Sequence, residues 1–391
     1  MFCGISAERI VGKTMSDNTS LRPIAVTRSS MAPLDEYVAE IAPLWESRWL
    51  TNRGEKHRQL EADLQAYLQS PHASLFTNGH AALECALEAL NLPAGGEIIT
   101  TPFTFASTTH AITRKGFTPV FADIKPTDYT LDPEKIEELI TPNTVAIMPV
   151  HVYGSLCDTD AIEAIAKKHN LKVIYDAAHA FGVKRQGVSA ATFGDVSMFS
   201  FHATKVFNTI EGGGLTFTDD ELATRLDEWK NFGIASDGQT VFAGGNGKMN
   251  EFCAAMGICN LRHIEEEIAK RKHAFEHYVE RLGNLDGVKL LEIPDDVEHN
   301  YAYFPVVFED ASHTTRDEVA AALAAQDIFA RKYFYPLTSD FACYSADFSA
   351  QEETPIAHDI AERVLTLPLY AELSDADIDR ICNVVISCVN N

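Results

Sequence analysis

Between about residues 60 and 233, short apolar runs alternate with stretches whose apolar positions recur at helical spacing. That alternation predicts an α/β fold, a mostly parallel sheet covered by helices. Residues 79–92 read as a helix with Ala82, Cys85, Ala86 and Ala89 on one face. Strands are expected at 98–100, 119–123, 145–150, 171–175 and 196–199, and helices at 108–115, 132–139 and 158–169. The second of these helices opens on Asp132-Pro133, a cap followed by proline at the first helical position. Beyond Asn246 the texture changes. One long helix rich in charge and alanine is expected at 251–282, then a strand at 301–308 and helices at 315–326 and 374–389. The pattern therefore predicts a frayed extension over 1–20, a large domain over 21–250 and a smaller α+β domain over 251–391, with the glycine cluster Gly244-Gly245-Asn246-Gly247 between the halves.

Composition narrows the function classes. Of 391 residues, 46% are hydrophobic and 23% charged, which is ordinary for a soluble enzyme, and no run approaches the roughly 20 apolar residues of a membrane span. With 32 Lys and Arg against 56 Asp and Glu, the formal charge of −24 argues against a coat for nucleic acid or anionic membrane. For an anionic substrate the basic residues to consider are Arg53, Lys248, Arg331 and Lys332. The eight cysteines are scattered without a C-x-x-C pair and read as reduced thiols. Residues 1–20 lack the continuous apolar stretch of a signal peptide, so a cytoplasmic location is expected.

Two residues suggest a cofactor. Asp176 ends the apolar run Val173-Ile174-Tyr175, and Lys205 follows one strand later in Ser200-Phe201-His202-Ala203-Thr204-Lys205, ahead of Glu211-Gly212-Gly213-Gly214. Pyridoxal 5'-phosphate needs this combination: an amine to bond its aldehyde, and a carboxylate to pair with its ring nitrogen so that the ring can draw electrons from a substrate carbanion. A carboxylate at such a depth costs several kcal/mol unless paired, and a protonated pyridine nitrogen would pair it. A lysine desolvated beside a glycine run has a lowered pKa and can act as nucleophile and proton shuttle. Other positions carry both a functional and an ordinary reading. Thr77-Asn78-Gly79-His80 opens a helix and is either a plain cap or an anion site. Phe105 is either a core aromatic or a face for a cofactor ring. His179 and His202 either bond a ligand or are satisfied by backbone. A zinc site from His179, His202 and Asp176 fits no recognised ligand spacing.

Taken together, Thr77-Asn78-Gly79-His80, the turn Thr101 to Phe105, Asp176-Ala177-Ala178-His179 and Ser200 to Lys205 with Glu211-Gly212-Gly213 resemble the DegT/DnrJ/EryC1/StrS family of sugar aminotransferases. The resemblance runs from about Leu21 to the C-terminus. It implies an aspartate-aminotransferase-like fold (fold type I) and a homodimer with active sites at the subunit interface. By the same resemblance, Lys205 is the amine that bonds the cofactor, Asp176 the partner of its ring nitrogen and Phe105 the stacking aromatic. Asn78, Gly79 and Ser200 match phosphate-binding positions, and Asn246 matches an asparagine lent by the neighbouring subunit. His179 stands where the family usually has glutamine, and His80 where it often has threonine. The pattern S-F-H-x-x-K…E-G-G is similar to that of enzymes aminating C4 of a nucleotide-linked 4-keto-6-deoxy sugar, with L-glutamate as donor. Arg53, His202, Lys332 and Tyr335 match regions that meet the sugar nucleotide, with Arg53 or Lys332 facing the diphosphate. A C3 enzyme, a GDP- or UDP-linked substrate, and a sensor that binds the cofactor without turnover remain alternatives at this level.

Overall fold

The computed structural model describes residues 22–344 and 354–390; the expected extension over 1–20 lies outside the described residues. The apolar runs form β1 (His72–Phe76), β2 (Glu97–Thr100), β3 (Thr118–Phe121), β4 (Thr144–Ile147), β5 (Lys172–Asp176), β6 (Lys184–Arg185), β7 (Val188–Ser189), β8 (Val196–Ser200) and β9 (Gly213–Phe217). Further along come β10 (Val288–Leu290), β11 (Val297–Glu298), β12 (Phe304–Phe308) and β13 (Val364–Leu367). Seven of them make one sheet in the order β1-β9-β8-β5-β4-β2-β3. From β8 to β3 the neighbours run parallel, and only β9 is reversed, antiparallel to both β1 and β8. Central strands of such a sheet are covered on both faces, and β9 is buried along its whole length.

Helices follow the expected starts because their caps are chemical. Asp132 accepts from the Glu134 N–H, Asp158 from Ala161 and Asn78 from Ala81, each satisfying a donor that the first turn leaves free. Helices Gly79–Ala89, Ala106–Arg114, Pro133–Glu138 and Thr159–His169 match the sequence pattern to within a few residues. The strand expected at 145–150 stops at Ile147, just ahead of Pro149, which has no N–H for a ladder. The strand expected from 301 begins instead at Phe304, because Tyr301 adopts a left-handed backbone with φ of 52°.

The single helix expected over 251–282 is two helices, Glu251–Arg262 and Ile264–Leu282. At His263 the backbone leaves helical geometry, and the imidazole reaches Glu36 at 2.7 Å. The break has a packing reason. Ala254 and Ile258 share a core with Leu60, Leu64 and Phe199, whereas Ala274, Phe275 and Tyr278 share another with Phe304, Leu367 and Ile381. One straight helix could not face both. The second core lies beneath a small antiparallel sheet, β10-β12-β13, and the helix Asp375–Asn390. A third sheet, β11-β6-β7, ties the C-terminal part back to the hairpin that follows β5.

No described helix is long and apolar enough to cross a membrane. The seven described cysteines are all unpaired.

Candidate active site

β5 and β8 are adjacent and parallel, so Asp176 and Ser200 emerge side by side at the carboxyl end of the sheet, where open α/β sheets collect ligands. After Ser200 a tight turn closed by Lys205 N–H to the His202 carbonyl (2.9 Å) brings Lys205 back over that edge. Its partly buried amine makes one hydrogen bond among the described residues, to the Tyr303 hydroxyl at 3.4 Å. Desolvation brings the amine down to about 8, with the charge of Asp176 opposing the shift.

Asp176 is 4% exposed and has no cation within ion-pair distance among the described residues. Its Oδ2 accepts from the Thr108 hydroxyl (2.7 Å) and Oδ1 from the Ala178 N–H (3.1 Å). Burial nevertheless outweighs both bonds and holds the carboxyl above its usual range. His179 is neutral for a complementary reason: burial, then the nearby Lys205 charge, push its pKa well down. Its Nδ1 accepts from the Tyr153 N–H at 3.0 Å, which leaves the proton on Nε2. The ring lies parallel to Phe334 (6.0 Å, 7°) and against Tyr303 (4.6 Å), while Asn300 clamps the loop by donating to the His179 and Phe181 carbonyls at 2.8 and 2.9 Å.

Beside this pair is a backbone cradle. Gly213 pairs with Phe76 on one side and Ser200 on the other, and a Cβ there would stand 2.5 Å from the Asn78 carbonyl carbon and the Gly79 nitrogen. Glycine is therefore required for the helix that starts at Gly79 to dock. Ser200 packs against Gly79, whose added Cβ would meet the Ser200 Cβ at 3.2 Å. The structure thus brings Asn78, Gly79 and Ser200 together at an eleven-residue helix whose first N–H groups and dipole favour an anion. Phe105 caps the neighbouring helix, Ala106–Arg114, which also carries Thr108 to Asp176, and its ring is 58% exposed. The His80 imidazole bonds Ser107 (3.0 Å) and lies 3.4 Å from Glu84. Asn246 lies near the same end of β1, since Gly247 accepts from the Thr77 N–H, but its own amide oxygen is occupied by Lys248.

The substrate candidates are more dispersed. Lys332 pairs with Asp317 at 2.7 Å and lies 6.0 Å from the exposed Tyr335 ring, which also faces Arg316. His202 bonds Thr204 (2.9 Å) and lies 3.5 Å from Glu211. Arg53 is committed elsewhere, to Glu61 at 3.0 Å and Asp227 at 2.5 Å. Thr108, Asn300, Tyr303 and Phe334 were not singled out in the sequence, since each reads there as part of an ordinary helix, loop or apolar run. Among the described residues, no three His, Cys, Asp or Glu side chains are placed to hold a metal ion.

These features fit pyridoxal 5'-phosphate. Among the described residues a desolvated amine and a buried carboxylate stand without ion-pair partners, and the glycine-lined cradle lies beside Ser200 at the same carboxyl end of the sheet. The cofactor is pyridoxal 5'-phosphate.

Comparison with known proteins agrees. The chain is 42% identical over 364 residues to the dTDP-4-amino-4,6-dideoxy-D-glucose transaminase of Shigella dysenteriae, covering 93% of this chain and 98% of that protein. Its fold superposes on DesI, solved in the presence of its TDP-sugar product, with a TM-score of 0.90 at 33% identity, over 95% of this chain and 94% of the other. The PLP-form of the sugar aminotransferase Spr1654 from Streptococcus pneumoniae gives 0.87 at 25% identity, over 95% and 99%. Residues 34–386 match the DegT/DnrJ/EryC1/StrS aminotransferase family, and the chain belongs to that family.

Proposed function

We propose that this aminotransferase moves an amino group from L-glutamate to C4 of a nucleotide-linked 4-keto-6-deoxy sugar, dTDP-4-dehydro-6-deoxy-D-glucose, giving the 4-amino-4,6-dideoxy sugar nucleotide. The observation that carries the reading is a partly buried lysine whose ammonium gives up its proton readily, set beside a buried carboxylate with no ion-pair partner among the described residues, at one end of the sheet. The dTDP-linked substrate is favoured by the transaminase of Shigella dysenteriae, similar over nearly its whole length.

When bound, the cofactor supplies an aldehyde for amines and a ring that draws electrons from the adjoining carbon. Lys205 Nζ, with a pKa of about 8, is a free base often enough near neutral pH to bond a carbonyl and to carry a proton between carbons. Asp176 Oδ1 and Oδ2, fixed by Ala178 and Thr108, would keep a proton on the ring nitrogen. Asn78, Gly79 and Ser200 would anchor the phosphate, Phe105 would cover one ring face, and His179 offers an Nε2–H as donor. For the sugar nucleotide, Lys332 beside Tyr335 and the exposed edge of His202 are the first candidates; Arg53 would have to share the two carboxylates it already holds.

A homodimer with shared active sites belongs to the same proposal. Exposed apolar side chains at Trp45, Trp49, Phe232, Val241 and Phe242 offer a surface to cover, and Asn246 lies just beyond the last of them in sequence. Light scattering should give twice the chain mass, and a monomeric active enzyme would refute this part.

The decisive assay incubates the purified, cofactor-loaded protein with L-glutamate and, separately, dTDP-, GDP- and UDP-linked 4-keto-6-deoxy sugars. Mass spectrometry should show an amine product with the dTDP sugar foremost, and NMR should place nitrogen at C4. Amination at C3, or no product from any of the three, would reject the assignment.

A further inference from the structure

The segment around β12 reads as a buried strand, yet Tyr303, just ahead of it, points its oxygen at the reactive amine. Tyr303 is buried, and its hydroxyl makes no hydrogen bond among the described residues other than the one with Lys205 Nζ. Of the other polar groups lining the small cavity around Lys205, the Thr204 hydroxyl bonds His202, and the Nε2–H that His179 leaves open is a donor, which an ammonium cannot use. Asn300 spends its amide N–H groups on two carbonyls, and His179 Nδ1 is taken by Tyr153. The remaining walls, Phe181, Val206 and Ala302, give an amine nothing to hold.

The ring cannot easily swing away. Its centroid is 4.6 Å from that of His179, 5.9 Å from Tyr333 in an edge contact and 6.0 Å from Tyr153. Close packing of this kind restricts a side chain to one rotamer, so the oxygen has a defined position. Burial also pushes the phenol up to about 12, so the hydroxyl keeps its proton through the physiological range. A neutral phenol can accept from an ammonium and donate to a free amine, and so serves both protonation states of its neighbour.

We infer that Tyr303 is a further catalytic residue: its hydroxyl fixes the ε-amine of Lys205 whenever that amine is not bonded to a carbonyl, and steadies it while it carries a proton. This rests on the reading of Lys205 as the amine that bonds the cofactor.

Tyr303→Phe keeps the ring and removes one oxygen. In cofactor-free protein, the rate at which acetic anhydride labels Lys205, followed by peptide mass spectrometry across pH, reports the titration of the amine. The ammonium loses an acceptor in the variant, so the labelling midpoint should fall by roughly half a unit to one unit. In loaded enzyme kcat should drop about 10- to 100-fold with KM for both substrates nearly unchanged, because the hydroxyl acts on the amine and not on binding. An unmoved midpoint with kcat within about twofold of the parent overturns the inference. Should the phenylalanine variant not fold, 3,5-difluorotyrosine at 303 keeps the shape with a more acidic phenol. It should carry the alkaline limb of kcat to lower pH, and a limb that stays in place also overturns the inference. Borohydride reduction of loaded protein separates the two claims. A tag on another lysine rejects the role of Lys205 and this inference with it, whereas a tag on Lys205 with an unmoved midpoint rejects Tyr303 alone.

Discussion

Two groups of buried charge stand in the large unit, and they are built on opposite rules. Around Glu61 every charge has a partner: His57 at 3.1 Å, Lys230 at 3.7 Å and Arg53 at 3.0 Å, with Lys230 also 2.9 Å from Asp227 and donating to Ser74. Burial alone would raise this carboxyl, but the His57 hydrogen bond and the Lys230 charge overcome it and bring it down to about 2. At Asp176 burial wins, and the carboxyl is raised. Two carboxylates at similar depth are thus shifted in opposite directions by what surrounds them. The paired group is a fastening. The unpaired one, with Lys205, keeps its charge available for a ligand that brings its own cation and carbonyl.

Substitutions can sharpen this contrast. Lys205→Ala should lower turnover of dTDP-4-keto sugar by at least about 1,000-fold while thermal stability stays level or rises, since a desolvated charge is removed. Near-normal turnover in the product assay would end the claim that the two groups differ in kind. Asp176→Asn should lower kcat about 100- to 1,000-fold, with the folded protein intact by circular dichroism; a drop below tenfold would mean that the carboxylate charge is not needed there. Glu61→Gln should do the reverse, costing about 3 kcal/mol in urea unfolding while the folded fraction turns over normally.

The pH dependence follows from the sign of the Glu61 shift. Its folded pKa, about 2, lies below the unfolded value near 4.3, so its contribution is fully present above about pH 5. That contribution is lost as pH falls toward 2, and parent and Glu61→Gln stability curves should converge over that interval. Curves that stay parallel down to pH 2 would show that the network is not what Glu61 supplies. The smallest effect belongs to exposed pairs such as Arg28 with Glu372, where Arg28→Ala should change stability by no more than about 0.5 kcal/mol in the same unfolding measurement.

The unpaired site was largely legible in the sequence and the paired one was not. Asp176 and Lys205 announce themselves because a charge at the end of an apolar strand, or beside three glycines, violates local pattern. Asn78 and Asp132 were legible as caps from their local sequence alone. Glu61 sits in a helix, Glu55–Leu68, so rich in charge that its buried face is disguised, and Asp227 and Lys230 lie far along the chain. Arg53 was read as a cation free for a diphosphate; only the folded chain shows the two carboxylates it serves. Tyr303 was hidden by an apolar run, and the break at His263 by a helical pattern that continues through it. Each depends on which distant surface an element meets, which spacing alone does not encode.

The reversed strand β9 has a consequence for how the protein matures. It is the seam between β1 and β8, and Gly213 at its start supplies the bare backbone against which Asn78 and Gly79 settle. A chain that ended at Lys205 would possess both reactive groups but not the bare backbone that seats Asn78 and Gly79. If Asn78 and Gly79 are where the phosphate sits, a protein in which this strand has not inserted should hold the cofactor less tightly.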